Sequence, residues 1–174
     1  MIPVSNQNPK QQSLSANSLS ATLAWFEKAR PTPTNKQFHT QLGVHYEEVE
    51  ESLEALTPLD GKAMYLVHEA RVALRALADH LKKSQHTVTV DPENRSLFLD
   101  SICDQLVTGT GVAAHCLFPV VEALNEVNSS NWSKFDEHGN PIVDANGKIM
   151  KGPGYFKPNL EQFIPKRIPV FDGE

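Results

Sequence analysis

Between residues 19 and 125 apolar positions recur at helical spacing, and proline or polar breaks divide the pattern into separate helices. Ala21, Leu23, Ala24, Trp25 and Phe26 predict a short first helix, capped by Ser20 and stopped by Pro31 and Pro33. The second starts at Thr34 or Asn35 and runs to about Leu56, ahead of Thr57-Pro58. At one hundred degrees per residue, Phe38, Leu42, Val49, Leu53 and Leu56 share a stripe, with Glu47, Glu48 and Glu51 on the opposite side. The third runs from an Asp60 cap to about Lys83 with Met64, Leu66, Ala70, Ala73, Leu74, Leu77 and Leu81 as its packing face. Arg71, Arg75, Lys82 and Lys83 are then its exposed side.

The fourth helix opens at Asp91-Pro92-Glu93, with proline at the first helical position, and carries Leu97, Leu99, Ile102, Leu106, Ala113 and Leu117 on one stripe. Asp100, Asp104, Thr108, Gly111 and His115 form its other, small and polar face. Gly109 and Gly111 each cost about 1 kcal/mol relative to alanine. That cost implies either the close approach of a backbone or ligand, or a break near residues 108–111. Pro119 forces a kink or a fresh start before Val120.

Outside these elements the pattern is less regular. Residues 1–18 are rich in Ser, Asn, Gln and Pro and predict a loose tail. Gln85–Val90 alternates and is β-branched, an extended connection or short strand. Asn128–Phe135 predicts a polar, turn-rich end to the helical part. Pro141–Met150 predicts a hairpin about an Asn146-Gly147 turn. An irregular loop, one helical turn at Leu160–Ile164 and an extended tail from Pro165 follow. The expected fold is therefore all-α, a bundle of four to five helices with a small C-terminal β-hairpin and loop. It is one domain over residues 19–165, flanked by tails 1–18 and 166–174.

Composition narrows the function. With 21 acidic against 16 basic residues, formally −5, the chain lacks the basic footprint of a duplex nucleic-acid binder. Two cysteines, Cys103 and Cys116, both in the fourth helix, argue for a reducing, cytoplasmic setting rather than a disulfide framework. No apolar run reaches membrane-spanning length, and the polar N-terminus lacks a signal-peptide pattern.

The chemistry lies in the acids. Glu48 and Glu51 are one turn apart, as are Asp100 and Asp104, and Glu47 adjoins the first pair. An acidic face opposite an apolar stripe is most often solvated. Val44 and Ala55, lying within that face, suggest instead that it is partly covered. Two such pairs brought together could not all stay ionised without cations. Hard oxygen ligands of this kind suit Mg²⁺ or Mn²⁺.

EExxE at Glu47, Glu48 and Glu51, the acid pair ending in Asp104, and the run NEVNSSNWSKF…GKIMKGPGYFKPNL together resemble the all-α nucleoside triphosphate pyrophosphohydrolases, specifically the MazG-like proteins of phages and bacteria. The resemblance covers about residues 35 to 165. It implies a helical bundle assembled as a homodimer or homotetramer, cytoplasmic in the cell or in the host of a phage, that splits a (deoxy)nucleoside triphosphate into monophosphate and pyrophosphate with Mg²⁺ or Mn²⁺. Glu48, Glu51 and Asp104 match the family's metal ligands. Asp100 stands four residues before Asp104 where the family's ExxD has an acid three before. Glu47 is the candidate to accept a proton from water. Lys134 and Lys151 are candidates to meet phosphates, Asn128 and Asn131 to hydrogen-bond base or sugar, and Tyr155 to stack on a base. Among substrates dGTP and GTP are favoured, since some phage members remove guanine nucleotides. The competing expectation is a non-enzymatic helical oligomer that binds nucleotide or regulates. A di-iron bundle is disfavoured because Glu-x-x-His pairs are missing.

Overall fold

The computed structural model describes residues 18–144 and 149–172. It is all-α: α1 (Ser18–Ala29), α2 (Asn35–Glu54), α3 (Gly61–Lys83), α4 (Arg95–His115), α5 (Val120–Trp132) and a last short turn of helix α6 (Pro169–Asp172). The chain forms two compact units, Thr32–Ser96 and Met1–Pro31 with Leu97–Glu174.

The first unit is the α2/α3 pair. Thr34 caps α2 through a reciprocal box: its hydroxyl accepts from the Gln37 N–H at 3.3 Å, and the Gln37 amide oxygen accepts from the Thr34 N–H at 2.9 Å. Asp60 caps α3, its carboxylate accepting from the Ala63 N–H at 2.8 Å. Contacts run from Gly43 with Ala78 and Lys82 at one end to Glu54 with Arg71 at the other, so the helices are antiparallel. At Gly43 a Cβ would stand 2.8 Å from the Ala78 carbonyl oxygen, so only glycine permits this approach.

The faces of α3 agree only in part with those expected: Leu81 is buried and Ala70 and Leu74 are half-buried, while other apolar positions of the expected packing face lie outside it. Arg71, Arg75 and Lys82 point at α2, while Met64, Tyr65, Leu66, Val72 and Leu77 are exposed. The reason is Glu50, only 1% exposed at the centre of the contact. A buried carboxylate requires paired donors, and it draws both arginines inward. On α2, likewise, Val49 and Leu56 are exposed, and the buried positions are His39, Gly43 and Glu50. His39 anchors the connection after α3: its Nδ1 bonds the Asn35 carbonyl at 2.9 Å, and its Nε2 accepts the N–H groups of Thr87 and Val88 at 3.2 and 3.3 Å. That connection is irregular, not a strand.

The second unit is built on α1 and α5, which run in the same direction and are joined by polar contacts. The Ser18 hydroxyl donates to Asn125 Oδ1 at 2.8 Å, Thr22 Oγ1 donates to Asn128 Oδ1 at 2.9 Å, and Trp25 Nε1 donates to the Asn131 carbonyl at 2.9 Å. Ser18 is thus a buried helical residue, not the end of a loose tail; residues 1–17 lie outside the described residues. The helix also continues through Asn128 to Trp132, past its expected polar end, because α1 and the 156-segment satisfy those polar side chains. Trp25, Ala29 and Phe135 form the small apolar core, with Trp132 and Ile149 against it.

A turn of 3-10 helix, Pro92–Asn94, leads into α4, which is unbroken through Gly109 and Gly111 and has no buried residue. A Cβ at either glycine would meet nothing within 4 Å, so no close approach among the described residues accounts for them. The helix ends in a Schellman arrangement: Phe118 N–H donates to the Ala113 carbonyl and Leu117 N–H to that of Ala114, with Leu117 at φ 57°. Pro119 then starts α5 afresh after a bend of 116°. Two isolated antiparallel bridges, Phe135 with Pro141 and Val143 with Ile149, stand where the hairpin was expected. The Asn146-Gly147 turn lies outside the described residues. Glu161–Phe163 is a 3-10 turn, and α6 replaces part of the extended tail. No single helix among the described residues is long and apolar enough to cross a membrane.

Candidate functional site

The expected site residues fall in three groups. Glu47, Glu48 and Glu51 lie on α2 in the first unit. Asp100 and Asp104 lie on α4 and are exposed, their carboxylates free of ion pairs among the described residues. Asn131, Lys134, Lys151 and Tyr155 gather at the end of α5, in the second unit with α4.

Along α2 the carboxylates alternate between two fates. Glu47 binds Lys82 Nζ at 2.6 Å; Glu50 binds Arg71 Nε at 2.8 Å and Arg75 Nη2 at 2.5 Å; Glu54 binds Arg71 Nη2 at 3.0 Å. Hydrogen bonds from Arg75 first and Arg71 second hold Glu50 below the ordinary carboxylate range, and Glu47 holds Lys82 above the ordinary lysine value. Glu48 and Glu51, the two acids of the ExxE pair, have no such cation among the described residues. The Glu48 pKa is raised, by desolvation foremost and then by repulsion from Glu51 and Glu47. A cleft of about 270 Å³ lies beside this row, lined by Glu47, Glu50, Glu51, Arg75, Ala78 and Asp79.

Glu48 and Glu51 therefore suit a hard divalent cation in charge and donor type, one turn apart on a rigid helix. Among the described residues no group of three or more His, Cys, Asp or Glu side chains is arranged to hold a metal ion. Glu47, the candidate base, is held by Lys82, which stands 3.5 Å from Asp79 as well. Lys82, expected on the exposed side of α3, and Asp79 thus join this row of acids, and the sequence carries a signal for it. Acids at 47, 50 and 54 and bases at 71, 75 and 82 have the spacing that matches across an antiparallel pair.

At the end of α5 the Lys134 ammonium donates to Asn131 Oδ1 at 2.7 Å and lies 5.7 Å from the centre of the Trp25 ring. Lys151 sits over Tyr155, 4.6 Å from its ring centre. Burial lowers the Lys134 pKa, the nearby Tyr155 opposes that shift, and the Lys151 charge adds to it. Gly152 brings the two lysine-bearing segments together. Its N–H donates to the Lys134 carbonyl at 3.2 Å, and a Cβ there would stand 2.9 Å from that oxygen.

Neither a family model, nor a curated protein, nor a solved structure matches this chain.

Asn128 is not part of the lysine cluster. It is 3% exposed, its amide oxygen accepting from Thr22 and its amide nitrogen donating to the Ser18 carbonyl at 2.8 Å, so it serves the α1/α5 contact. Asn131 reaches the cluster through its side chain and binds α1 through its carbonyl. Trp25, which donates that second bond, shows in the sequence only as part of the apolar pattern of the first helix. A larger groove of about 550 Å³, lined by Asn35, Phe38 and residues 86–90, contains no carboxylate.

Proposed function

We propose that this chain is a metal-dependent nucleoside triphosphate pyrophosphohydrolase of the kind it resembles in sequence. One observation carries the reading: α3 neutralises Glu47, Glu50 and Glu54 but leaves Glu48 and Glu51 without a cation. Charge sorting of this sort has a physical use. Two like charges one turn apart on a helix raise the energy of the folded chain unless a ligand offsets them, and repulsion from Glu51 and Glu47 adds to the desolvation that raises the Glu48 pKa.

In this reading Glu48 and Glu51 would hold Mg²⁺ or Mn²⁺, and Asp100 and Asp104 are a second acid pair on α4 of the same ligand type. When bound, the metal supplies charge neutralisation of the triphosphate and a Lewis acid for the departing pyrophosphate. The protein's part is to orient water. Glu47, fixed by Lys82 beside the metal-binding pair, accepts the proton as water attacks the α-phosphorus. Lys134 and Lys151 meet phosphate oxygens, each as a point charge, while Asn131 and Tyr155 face the nucleoside. Guanine triphosphates head the list of substrates on resemblance alone.

A homodimer or homotetramer belongs to the same proposal. Exposed apolar side chains on α3, and separately on α4, where Leu97, Leu99, Leu106, Val107 and Val112 are all uncovered, are the kind of surface that copies of a chain bury. The finer fold, a bundle, is completed in this view by helices of a second copy. A panel of nucleoside and deoxynucleoside triphosphates with Mg²⁺ or Mn²⁺, scored for monophosphate and pyrophosphate, tests the activity. Turnover of at least one substrate, lost in Glu48→Gln and Asp104→Asn, is the expected result. No turnover across the panel, with nucleotide still bound, points to the non-enzymatic binding protein.

A further inference from the structure

Lys134 keeps its charge in an environment that does little for it. Its side chain is half-buried, and the groups around it are Asn131 on α5, Trp25 on α1, and Lys151 and Tyr155 on the following loop. Two neutral acceptors stand in for solvent: Asn131 Oδ1 at 2.7 Å and the face of Trp25. The face of an indole attracts a cation through its quadrupole, more weakly than an anion would. An ammonium has three donors, and these two neighbours leave room for a further partner.

Trp25 governs both of those neighbours. Its indole N–H donates to the Asn131 carbonyl at 2.9 Å and so fixes the residue whose amide receives Lys134. Its ring stacks on Phe135 at 5.8 Å and 11°, and Phe135 is itself buried and follows Lys134 in the chain. Ring, amide and lysine backbone are therefore locked together before any ligand arrives. On the far side Gly152 holds the Lys151 segment against the Lys134 carbonyl.

We infer that Trp25 is a positioning residue for an anion site at Lys134: its ring seats the ammonium and its N–H presets Asn131, so that a phosphate group meets the ammonium already in a prepared place. The inference rests on the reading of Lys134 and Lys151 as phosphate-binding. It adds α1 to the site. It also makes Trp25 a reporter, since a lysine side chain over an indole face is shifted upfield by the ring current.

The test uses the full chain with lysine labelled at the ε carbon with ¹³C and inorganic pyrophosphate as the probe, without metal. Lys134→Arg assigns the Lys134 resonance. That resonance is expected upfield of the other lysines, staying upfield while it shifts in a saturable way as pyrophosphate is added. In Trp25→Phe, which retains a ring against Phe135, the displacement shrinks and the pyrophosphate Kd rises about three- to tenfold, with circular dichroism reporting that the fold is kept. The wild-type titration needs no variant and decides the matter should Trp25→Phe unfold. A Lys134 resonance that is not displaced in the wild type, or pyrophosphate binding unaltered in folded Trp25→Phe, overturns the inference alone. Failure of the wild type to bind pyrophosphate overturns the phosphate reading of the lysines and the inference with it.

Discussion

Glu48 and Lys134 are opposite in charge and alike in predicament: each is held where its ionised form is disfavoured. For Glu48 the folded-state pKa is raised, so the folded chain binds more protons than the unfolded one as pH rises above 4.5. Its favourable contribution is present below that value and is lost as pH climbs through the folded pKa, which leaves a penalty at neutral pH. Glu48→Gln is accordingly expected to raise the Tm of metal-free protein at pH 7 while removing stabilisation by Mn²⁺. In the wild type that stabilisation should approach about 2.7 kcal/mol at a hundredfold excess over Kd. Thermal melts with and without MnCl₂ check both halves, and a variant still stabilised by manganese removes Glu48 from the metal site.

For Lys134 the folded pKa is lowered, so the folded chain binds fewer protons than the unfolded one just below the ordinary lysine value. Its contribution is fully present above that value and disappears as pH falls through the folded pKa. Neutral pH is therefore where the lysine costs stability. Lys134→Met should raise Tm at pH 7, with the gain shrinking as pH rises above about 10, and should weaken pyrophosphate binding at least tenfold. Stability gained and ligand lost by one substitution is the mark of a residue kept for binding. A lower Tm would instead make Lys134 a structural residue, held for its contacts with Asn131 and Trp25.

At the scale of elements, the α2/α3 pair depends on one missing side chain. Alanine at Gly43 gains about 1 kcal/mol of helix propensity, but its Cβ meets the Ala78 backbone oxygen at 2.8 Å, which cannot move aside as a side-chain tip can. Overpacking of this kind costs about 1–3 kcal/mol. The expected net is a loss of about 1 kcal/mol, read by urea unfolding, and no loss would mean the helices have room to part. At the end of α4 the sign reverses. Leu117 adopts a left-handed backbone at φ 57° with its side chain largely exposed, so Leu117→Gly should stabilise by about 1 kcal/mol. Should it destabilise, the Leu117 side chain has a partner outside the single chain.

For the molecule as a whole the decisive fact is how little is buried. Among the described residues the buried apolar side chains are Ala21, Trp25, Ala29, Ala78, Leu81, Cys116 and Phe135, while leucines and valines line the outside of α3 and α4. A chain of 174 residues ordinarily encloses more than this. Sedimentation at micromolar concentration should show a dimer or tetramer, and Leu106→Glu with Val112→Glu on α4 should shift it toward monomer. A wild-type protein that sediments as monomer would end the assembly proposal. Membership of the two lysines in a site rests on local contacts and would survive that result.

Where helices begin and end was largely legible in the chain, because caps and breakers act within a few residues. Thr34 with Gln37, Asp60 with Ala63, and the proline at 119 set boundaries that no distant contact overrides. That Glu48 and Glu51 stand one turn apart on a helix was legible too, because helical spacing alone sets it. Which face each helix turns inward was not. Periodicity marks an apolar stripe without saying whether a partner covers it, and a single buried carboxylate, Glu50, turns two arginines toward α2 while Met64, Leu66 and Leu77 of the α3 stripe stay exposed and Leu81 is buried. Asn128 passed from candidate ligand to helix contact for a similar reason: an amide has the same donors and acceptors wherever it lies, and only its neighbours, Ser18 and Thr22, decide their use. Local chemistry belongs to the sequence, whereas the assignment of each charge to a partner is a property of three-dimensional packing, where burial makes pairing obligatory.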